Sequence, residues 1–248
     1  MRSAWGTVLA LGFFLVSGCN PASNPSASGQ AETNNPSGGP ASGQSLDPLT
    51  ALGTGPIFPV DVGDQWTYNS YSSVGNGPSS LPTPVVLQVV SVNQTTAGTE
   101  AKLKLAEESI AKDLQTWIIS SNQLIQLSEG VKGVRYAPKQ VLAVLPLREG
   151  NRTNWIGTGQ TPSGQIGFMK IVNTVGHVQL VDTGLGPMEA VPIVSSTAFY
   201  WNKHPSVAEA TLFLKPGSGI VRYSIVIHYQ GKEFHNLLEL KNRTIKQS

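Results

Sequence analysis

The chain has 248 residues, of which only 13% are charged, and its 17 Lys and Arg against 15 Asp and Glu give a formal net charge of +2. Because positive and negative charges are nearly equal in number, the composition excludes a protein that binds nucleic acid through a basic stripe. A single cysteine excludes a disulfide framework and a cysteine-rich zinc site. With 26 Gly and 17 Pro, the composition is typical of a turn-rich globular protein outside the cytoplasm.

The first eighteen residues have the organisation of a secretory signal. Arg2 is followed by an uncharged, mostly apolar stretch from Ser3 to Gly18. Its apolar part is about a dozen residues long, whereas a helix that spans a bilayer needs about 20. We therefore predict a signal peptide over residues 1–18.

The residues that end this segment indicate the kind of signal. Val16, Ser17, Gly18 and Cys19 resemble a bacterial lipobox, an aliphatic residue and two small residues before a cysteine. The resemblance implies cleavage before Cys19 and acylation of the cysteine thiol and amino group. The attached lipid would make the membrane a partner of the protein, and the attachment is firm when two or three acyl chains insert. An ordinary signal peptide with a chance cysteine is the alternative. In enteric-type diderm bacteria, Asn20 after the cysteine implies sorting to the outer membrane.

A low-complexity stretch follows the cysteine. Of the 29 residues from 20 to 48, 25 are Pro, Ser, Gly, Asn, Ala or Gln. Such a composition buries too little apolar surface to offset the entropy of ordering it. We predict a lipidated cysteine and tether over residues 19–54 and a single domain over residues 55–248.

Short apolar runs separated by turn residues predict that this domain is mainly β. We expect an antiparallel, strongly curled sheet, a sandwich or a half-barrel, with one or two short helices as a possible addition. The predicted strand regions are Pro84–Val92, a hairpin over Trp117–Leu127, paired runs over Ile166–Leu180, Ala198–Trp201, Thr211–Leu214 and Ile220–Tyr229.

One segment has two interpretations. Thr99–Leu114 is rich in helix formers and has a helical apolar stripe, yet Ala101, Leu103 and Leu105 alternate with lysines. We favour a strand for its first half, with a short helix packed on the sheet as the alternative.

Both ends of the domain carry recognisable sequence motifs. The run from Phe58-Pro59 through Gly63 to Trp66 and Tyr68 resembles the opening of a broad set of bacterial envelope lipoproteins. Near the other end, 214–221 resembles the glycine turn and strand that often close that domain, although Leu214-Lys215 departs from its usual aromatic-Ala start. The resemblance implies location and fold more than activity. We predict that Trp66 packs against the strand Ile220–Tyr229.

Motifs for catalysis and for metal or cofactor binding are weak. In a strand, the odd spacing of His228 and His235 would put them on opposite faces, so we predict no metal site. Gly157-Thr158-Gly159 is interpreted as a loop, but no Walker lysine follows. Ser109 and Lys112 match a serine-lysine spacing whose companion motifs are missing. We predict no catalytic residues, no cofactor and no enzyme.

The aromatic residues therefore remain as candidates for a site. Aromatic residues at alternate strand positions are typical of a hydrophobic core. The alternative hypothesis is that they line a groove that binds an acyl chain or a glycan. The set is Trp66, Tyr68, Trp117, Trp155, Tyr200 and Trp201, together with Phe199. The resulting hypothesis is an anchored, non-catalytic domain that binds a lipid, glycan or protein of the cell envelope. The alternatives are a structural lipoprotein of an envelope complex and, third, a hydrolase.

Overall fold

The computed structural model describes residues 56–77, 79–107, 110–129, 134–160, 166–201 and 204–245. They form thirteen strands and no helix. The strands are β1 (Gln65–Val74), β2 (Thr83–Thr95), β3 (Gly98–Glu107), β4 (Ile110–Ile119), β5 (Gln123–Glu129), β6 (Val134–Val144), β7 (Arg152–Gln160), β8 (Ile166–Val175), β9 (Gln179–Val181), β10 (Met188–Trp201), β11 (His204–Lys215), β12 (Gly219–Tyr229) and β13 (Lys232–Thr244).

Twelve of these strands close into a barrel. Antiparallel pairing runs in chain order from β1 to β8, continues through β10 to β13, and returns to β1. The short β9 pairs outside this ring, with the first residues of β10. The prediction of a mainly β antiparallel fold is confirmed. Every long strand finds two neighbours, so the sheet closes completely and is neither a half-barrel nor a sandwich.

Three local predictions have clear outcomes. The hairpin over Trp117–Leu127 is confirmed, with Ile119 paired to Leu124 across the turn at 120–122. Thr99–Leu114 contributes to β3 and β4, so its strand interpretation is confirmed and the helix alternative is wrong for the described residues. The runs in Ile166–Leu180 do not pair with each other, because both β8 and β9 bond to β10.

Each end of the barrel has a distinct set of connections. The N-terminal rim carries residues 56–64 and the turns at 96–97, 120–122, 145–151 and 216–218. The far rim carries the opposite strand ends, including Val74, Thr83, Gln160, Ile166 and Tyr229.

The opening segment closes the N-terminal rim with an aromatic stack. Phe58 lies between Trp66 and Trp117, with ring centroids 5.2 and 5.6 Å away, and all three side chains are buried. Gly63 has a φ of 95°, which favours glycine at the turn before β1. Alternation along β1 then turns Trp66 and Tyr68 to the interior.

Hydrogen bonds join the first strand to the turn before β12. The Trp66 indole N–H donates to the Ser218 carbonyl at 2.6 Å, and the Tyr68 hydroxyl donates to the Ile220 carbonyl at 3.0 Å. A Cβ on Gly219 would lie 3.3 Å from the Trp66 ring, so the ring packs directly on this glycine. The predicted packing of Trp66 at the start of Ile220–Tyr229 is confirmed. Burial raises the pKa of Tyr68 well above its usual range.

Side chains bridge the seam between β6 and β7, where the backbone ladder pairs only Ala137 with Thr158. The Trp155 indole donates to the Pro138 carbonyl at 2.8 Å. The Asn173 amide donates to the Val141 carbonyl at 3.2 Å, and its oxygen accepts from Ser195 at 2.7 Å. The bonds of Trp155 and of the Asn173 amide N–H reach β6 from β7 and β8, and Ser195 on β10 bonds to the oxygen of Asn173, so side chains supply what the sparse ladder lacks.

Candidate functional site

The predicted site residues are divided between the interior, the surface and the part of the chain that is not described. Val16, Ser17, Gly18 and Cys19 lie outside the described residues, as do the predicted signal peptide and tether. Trp66, Tyr68, Trp117 and Trp155 all belong to the buried interior cluster.

The aromatic run at the end of β10 alternates as expected. Phe199 is 3% exposed and Tyr200 is 65% exposed, which confirms that neighbouring rings lie on opposite faces of the sheet. Trp201 ends β10, and its side chain is not among those described. Of the candidate aromatics, Tyr200 therefore offers its ring to the surface.

The interpretation of Gly157-Thr158-Gly159 as a loop is wrong, because the three residues lie within β7. A Cβ on Gly157 would lie 2.3 Å from the Ala137 carbonyl oxygen, and one on Gly159 would lie 2.7 Å from the Tyr136 ring. The glycines therefore make space for neighbouring backbone and rings inside the sheet.

The barrel interior contains a small cavity lined by both polar and aliphatic side chains. Its volume is about 50 Å³. Tyr136, Gln126, Gln140 and Thr197 contribute polar groups, and Ile193 is one of the aliphatic side chains that line the rest. A cavity that binds a benzene-sized molecule measures about 150 Å³, so this one suits a few water molecules and excludes an acyl chain or a hexose.

Several buried amide atoms in the interior have no hydrogen-bond partner in the protein. They are Nε2 of Gln115, Oε1 of Gln140 and both polar side-chain atoms of Asn236. Gln140 also lines the 50 Å³ cavity. Buried amides of this kind are expected to bond to ordered water. For Gln140, the cavity is large enough to hold such water.

Larger concavities lie on the outer face and at the N-terminal rim of the barrel. One, called the outer cleft here, has a volume of about 650 Å³ and lies on β1, β13 and β12 beside the β1–β2 connection. Its lining residues are Tyr71, Ser72, Ser73, Gly75, Asn76, Ser79, Arg222, Ser224, Ile225, Val226, His235, Asn236, Leu237 and Glu239. This volume is typical of a small-molecule site.

Strand register arranges the polar groups of the outer cleft. Arg222 on β12 lies opposite Glu239 on β13, and their side chains form an ion pair at 3.5 Å. Tyr71 on β1 lies opposite Leu237, one row nearer the far rim. The backbone of Gly75 donates to the Glu233 carbonyl at 2.7 Å, which fixes the connection beside the cleft. One guanidinium and one carboxylate thus balance each other beside an aromatic ring.

The histidines of β12 and β13 lie on the same face, contrary to the sequence argument. His228 Nδ1 lies 3.5 Å from Glu233 Oε1, and His235 Nε2 lies 3.3 Å from Oε2. Odd spacing separates faces only within one strand, whereas the turn at 230–231 starts a new one. Each ring approaches a different carboxylate oxygen. Among the described residues, no group of three His, Cys, Asp or Glu side chains is placed to hold a metal ion.

Sequence reasoning missed the outer cleft because its groups come from both ends of the domain. Arg222 and Ser224 stood out only as polar positions in an otherwise apolar strand. Their outward direction followed from alternation, but the pairing of β13 with β1 did not. That pairing places Tyr71 beside residues more than 150 positions away.

Comparisons with known proteins identify no family. No protein-family model matches the chain, and no curated protein matches it significantly. Two crystal structures are similar at 13% identity. One is a candidate lipoprotein from Parabacteroides distasonis, with a TM-score of 0.49 over 76% of this chain and 98% of that one. The other is a candidate exported protein with a YmcC-like fold from Bacteroides fragilis, with a TM-score of 0.41 over 75% and 98%. Neither likeness indicates a shared activity.

Proposed function

We propose that this chain is a lipid-anchored lipoprotein of the cell envelope whose barrel binds a neutral saccharide, without catalysis, in the outer cleft. The observation that carries the saccharide proposal is the placement of Tyr71 beside the Arg222–Glu239 pair in a concavity of about 650 Å³. The anchor rests on the sequence alone, on Cys19 and the residues before it.

The chemistry of the cleft favours a neutral, hydroxyl-rich ligand. A phosphate or a carboxylated ligand would need an excess of cations. The lining residues include one guanidinium, one carboxylate and His235, and the ring of His235 already lies 3.3 Å from the Glu233 carboxylate. The Arg222–Glu239 ion pair at 3.5 Å is long, and both side chains keep about a quarter of their surface exposed. The guanidinium has donors and the carboxylate has acceptors for adjacent sugar hydroxyls. Tyr71 offers an apolar ring for the face of the sugar.

Other occupants fit the molecule less well. The interior cavity of about 50 Å³ is too small for an acyl chain, which argues against a lipid carried inside the barrel. The cleft holds one carboxylate, whereas glycoside hydrolysis ordinarily needs two flanking the scissile bond. We therefore propose binding without turnover.

Isothermal titration calorimetry tests this proposal directly. The chain from residue 19 with Cys19→Ser is titrated with neutral tetrasaccharides of glucose, galactose, mannose and N-acetylglucosamine. We expect one of them to bind with a Kd between about 10 μM and 1 mM. Tyr71→Ala and Arg222→Gln should each weaken binding about tenfold or more, because each removes a direct contact worth about 1.5 kcal/mol.

Matched variants distinguish the cleft from general effects. Arg152→Gln removes an exposed arginine from β7, outside the cleft, and should leave the Kd unchanged. Thermal unfolding must show that Tyr71→Ala and Arg222→Gln remain folded. Failure of all four tetrasaccharides to bind at 5 mM, or equal binding by Arg222→Gln, contradicts the proposal.

A further inference from the structure

A second surface of the barrel is unusually apolar for an exposed face. It consists of Ile156 on β7, Ile166 and Phe168 on β8, Tyr200 on β10 and Val207 on β11, and it is called the far-rim face below. These side chains are 55%, 71%, 59%, 65% and 40% exposed. Exposed aliphatic and aromatic residues that cluster in this way mark an interaction site.

Strand register shows that these side chains are neighbours. Phe199 pairs with Met169, so Tyr200 and Phe168, the next residues of these strands toward the far rim, lie side by side. Part of this surface forms a groove of about 570 Å³, bordered by Phe168, Lys170, Tyr200 and Val207. The aromatic pair therefore stands at one edge of a mostly apolar groove that also contains the charged Lys170.

Exposed cations outnumber carboxylates around the far-rim face. Lys170 borders its groove, and β6 carries the exposed Arg135 and Lys139. The nearby carboxylates are the exposed Glu209 on β11 and Glu233, which contacts His228 at the groove. The excess of lysine and arginine on β6 and β8 thus complements an anionic partner.

We propose that the far-rim face docks on an anionic lipid surface. Exposed aromatic and aliphatic side chains enter the interface between headgroups and acyl chains, while lysine and arginine contact anionic headgroups. The described chain starts at Pro56 on the opposite, N-terminal rim. A flexible tether of about 36 residues spans roughly 30 to 36 Å, close to the length of a strand of about ten residues at 3.3 Å each. The predicted tether is thus long enough for the far-rim face to reach the bilayer of the anchor.

Vesicle binding tests this docking independently of the lipid anchor and of saccharide binding. The chain from residue 19 carries Cys19→Ser, which removes acylation, and it omits the apolar residues 1–18. Co-flotation is measured with vesicles of 30% phosphatidylglycerol in phosphatidylcholine and with phosphatidylcholine alone. We expect at least tenfold stronger partitioning into the anionic vesicles, and weaker partitioning at 0.5 M salt.

Paired variants assign the binding to this face. Phe168→Ser with Tyr200→Ser should weaken partitioning about tenfold or more. Lys139→Gln with Lys170→Gln should weaken it about 25-fold, since each cation near an anionic surface contributes about fivefold. The controls are Leu180→Ser for an exposed apolar residue at the N-terminal rim, and Lys102→Gln for an exposed lysine on β3. Both controls should bind as strongly as the parent chain.

Three results would overturn the proposal. The first is no flotation, or equal flotation with anionic and neutral vesicles. The second is unchanged flotation of the charge variant, whose exposed positions leave the fold intact as checked by circular dichroism. The third is an oligomer that dissociates in Phe168→Ser with Tyr200→Ser while flotation stays unchanged, because a second copy of the chain would then cover this face.

Discussion

Trp66 connects the opening segment, the first strand and the turn before β12, so its removal should destabilise the whole barrel. Its side chain is fully buried, stacks on Phe58 at 5.2 Å and donates to the Ser218 carbonyl at 2.6 Å. Truncation of a buried Trp to Ala costs about 3 to 5 kcal/mol. The carbonyl left without its donor adds about 1 to 3 kcal/mol. We expect Trp66→Ala to lose at least 4 kcal/mol, a large part of a typical stability of about 5 to 15 kcal/mol.

Chemical denaturation followed by far-ultraviolet circular dichroism measures this loss without depending on tryptophan fluorescence. Trp66→Phe keeps a ring against Phe58 and removes the N–H, so it should lose about 1 to 3 kcal/mol. Tyr200→Ala removes an exposed ring and should change the free energy of unfolding by less than about 0.5 kcal/mol. If Trp66→Ala unfolds within 1 kcal/mol of the parent chain, the reasoning from burial is wrong, and a role in ligand binding would have to be considered for this ring.

Other changes probe different parts of the molecule. Burial raises the pKa of Tyr68, so the stability that its neutral form contributes is complete below pH 10 and falls as pH rises further. In Tyr68→Phe, the free energy of unfolding from denaturation curves should therefore fall less between pH 9 and 11 than in the parent chain. Asn173→Leu removes an amide that is bonded to the Val141 carbonyl and to the hydroxyls of Thr153 and Ser195, and it should cost about 2 to 4 kcal/mol. Asn154→Leu on the exposed face of β7 should cost less than about 0.5 kcal/mol. Cys19→Ser should abolish acylation in the full chain, as intact mass spectrometry would show; an unmodified Cys19 in the native protein would refute the lipobox.

The sequence allowed the strands to be predicted because alternation is a local property. In β12, buried and less buried residues alternate from Val221 to Ile227, as the sequence pattern indicates. The hairpin over Trp117–Leu127 was equally local, with its turn residues between two apolar runs. Lysines alternating with aliphatic residues decided Thr99–Leu114 in favour of strand, since a buried face overrides helix propensity.

The closure of the barrel and the contacts between its neighbouring strands could not be predicted from local sequence patterns. The last strand pairs with the first, a contact that no periodicity encodes. Gly157 and Gly159 look like loop residues by composition, yet they lie in a strand because the Ala137 carbonyl and the Tyr136 ring occupy the space of a side chain. His228 and His235 converge on Glu233 only because a two-residue turn separates their strands. In each case a contact between strands decided the structure, and neither composition nor the periodicity of a single strand contains that contact.

The two proposed surfaces have a geometric relation that can be tested. The far-rim face and the outer cleft approach each other on β11 and β12. Val207 on β11 pairs with His228 on β12, and Val226, two residues from His228 on the same strand, lines the cleft. A bilayer that meets the far-rim face would therefore lie close to the outer cleft. We expect the affinity for a bound tetrasaccharide to be at least threefold lower with anionic vesicles than without them, measured by equilibrium dialysis at saturating lipid. An affinity unchanged within twofold would mean that the lipid leaves the cleft open and that the two surfaces are independent.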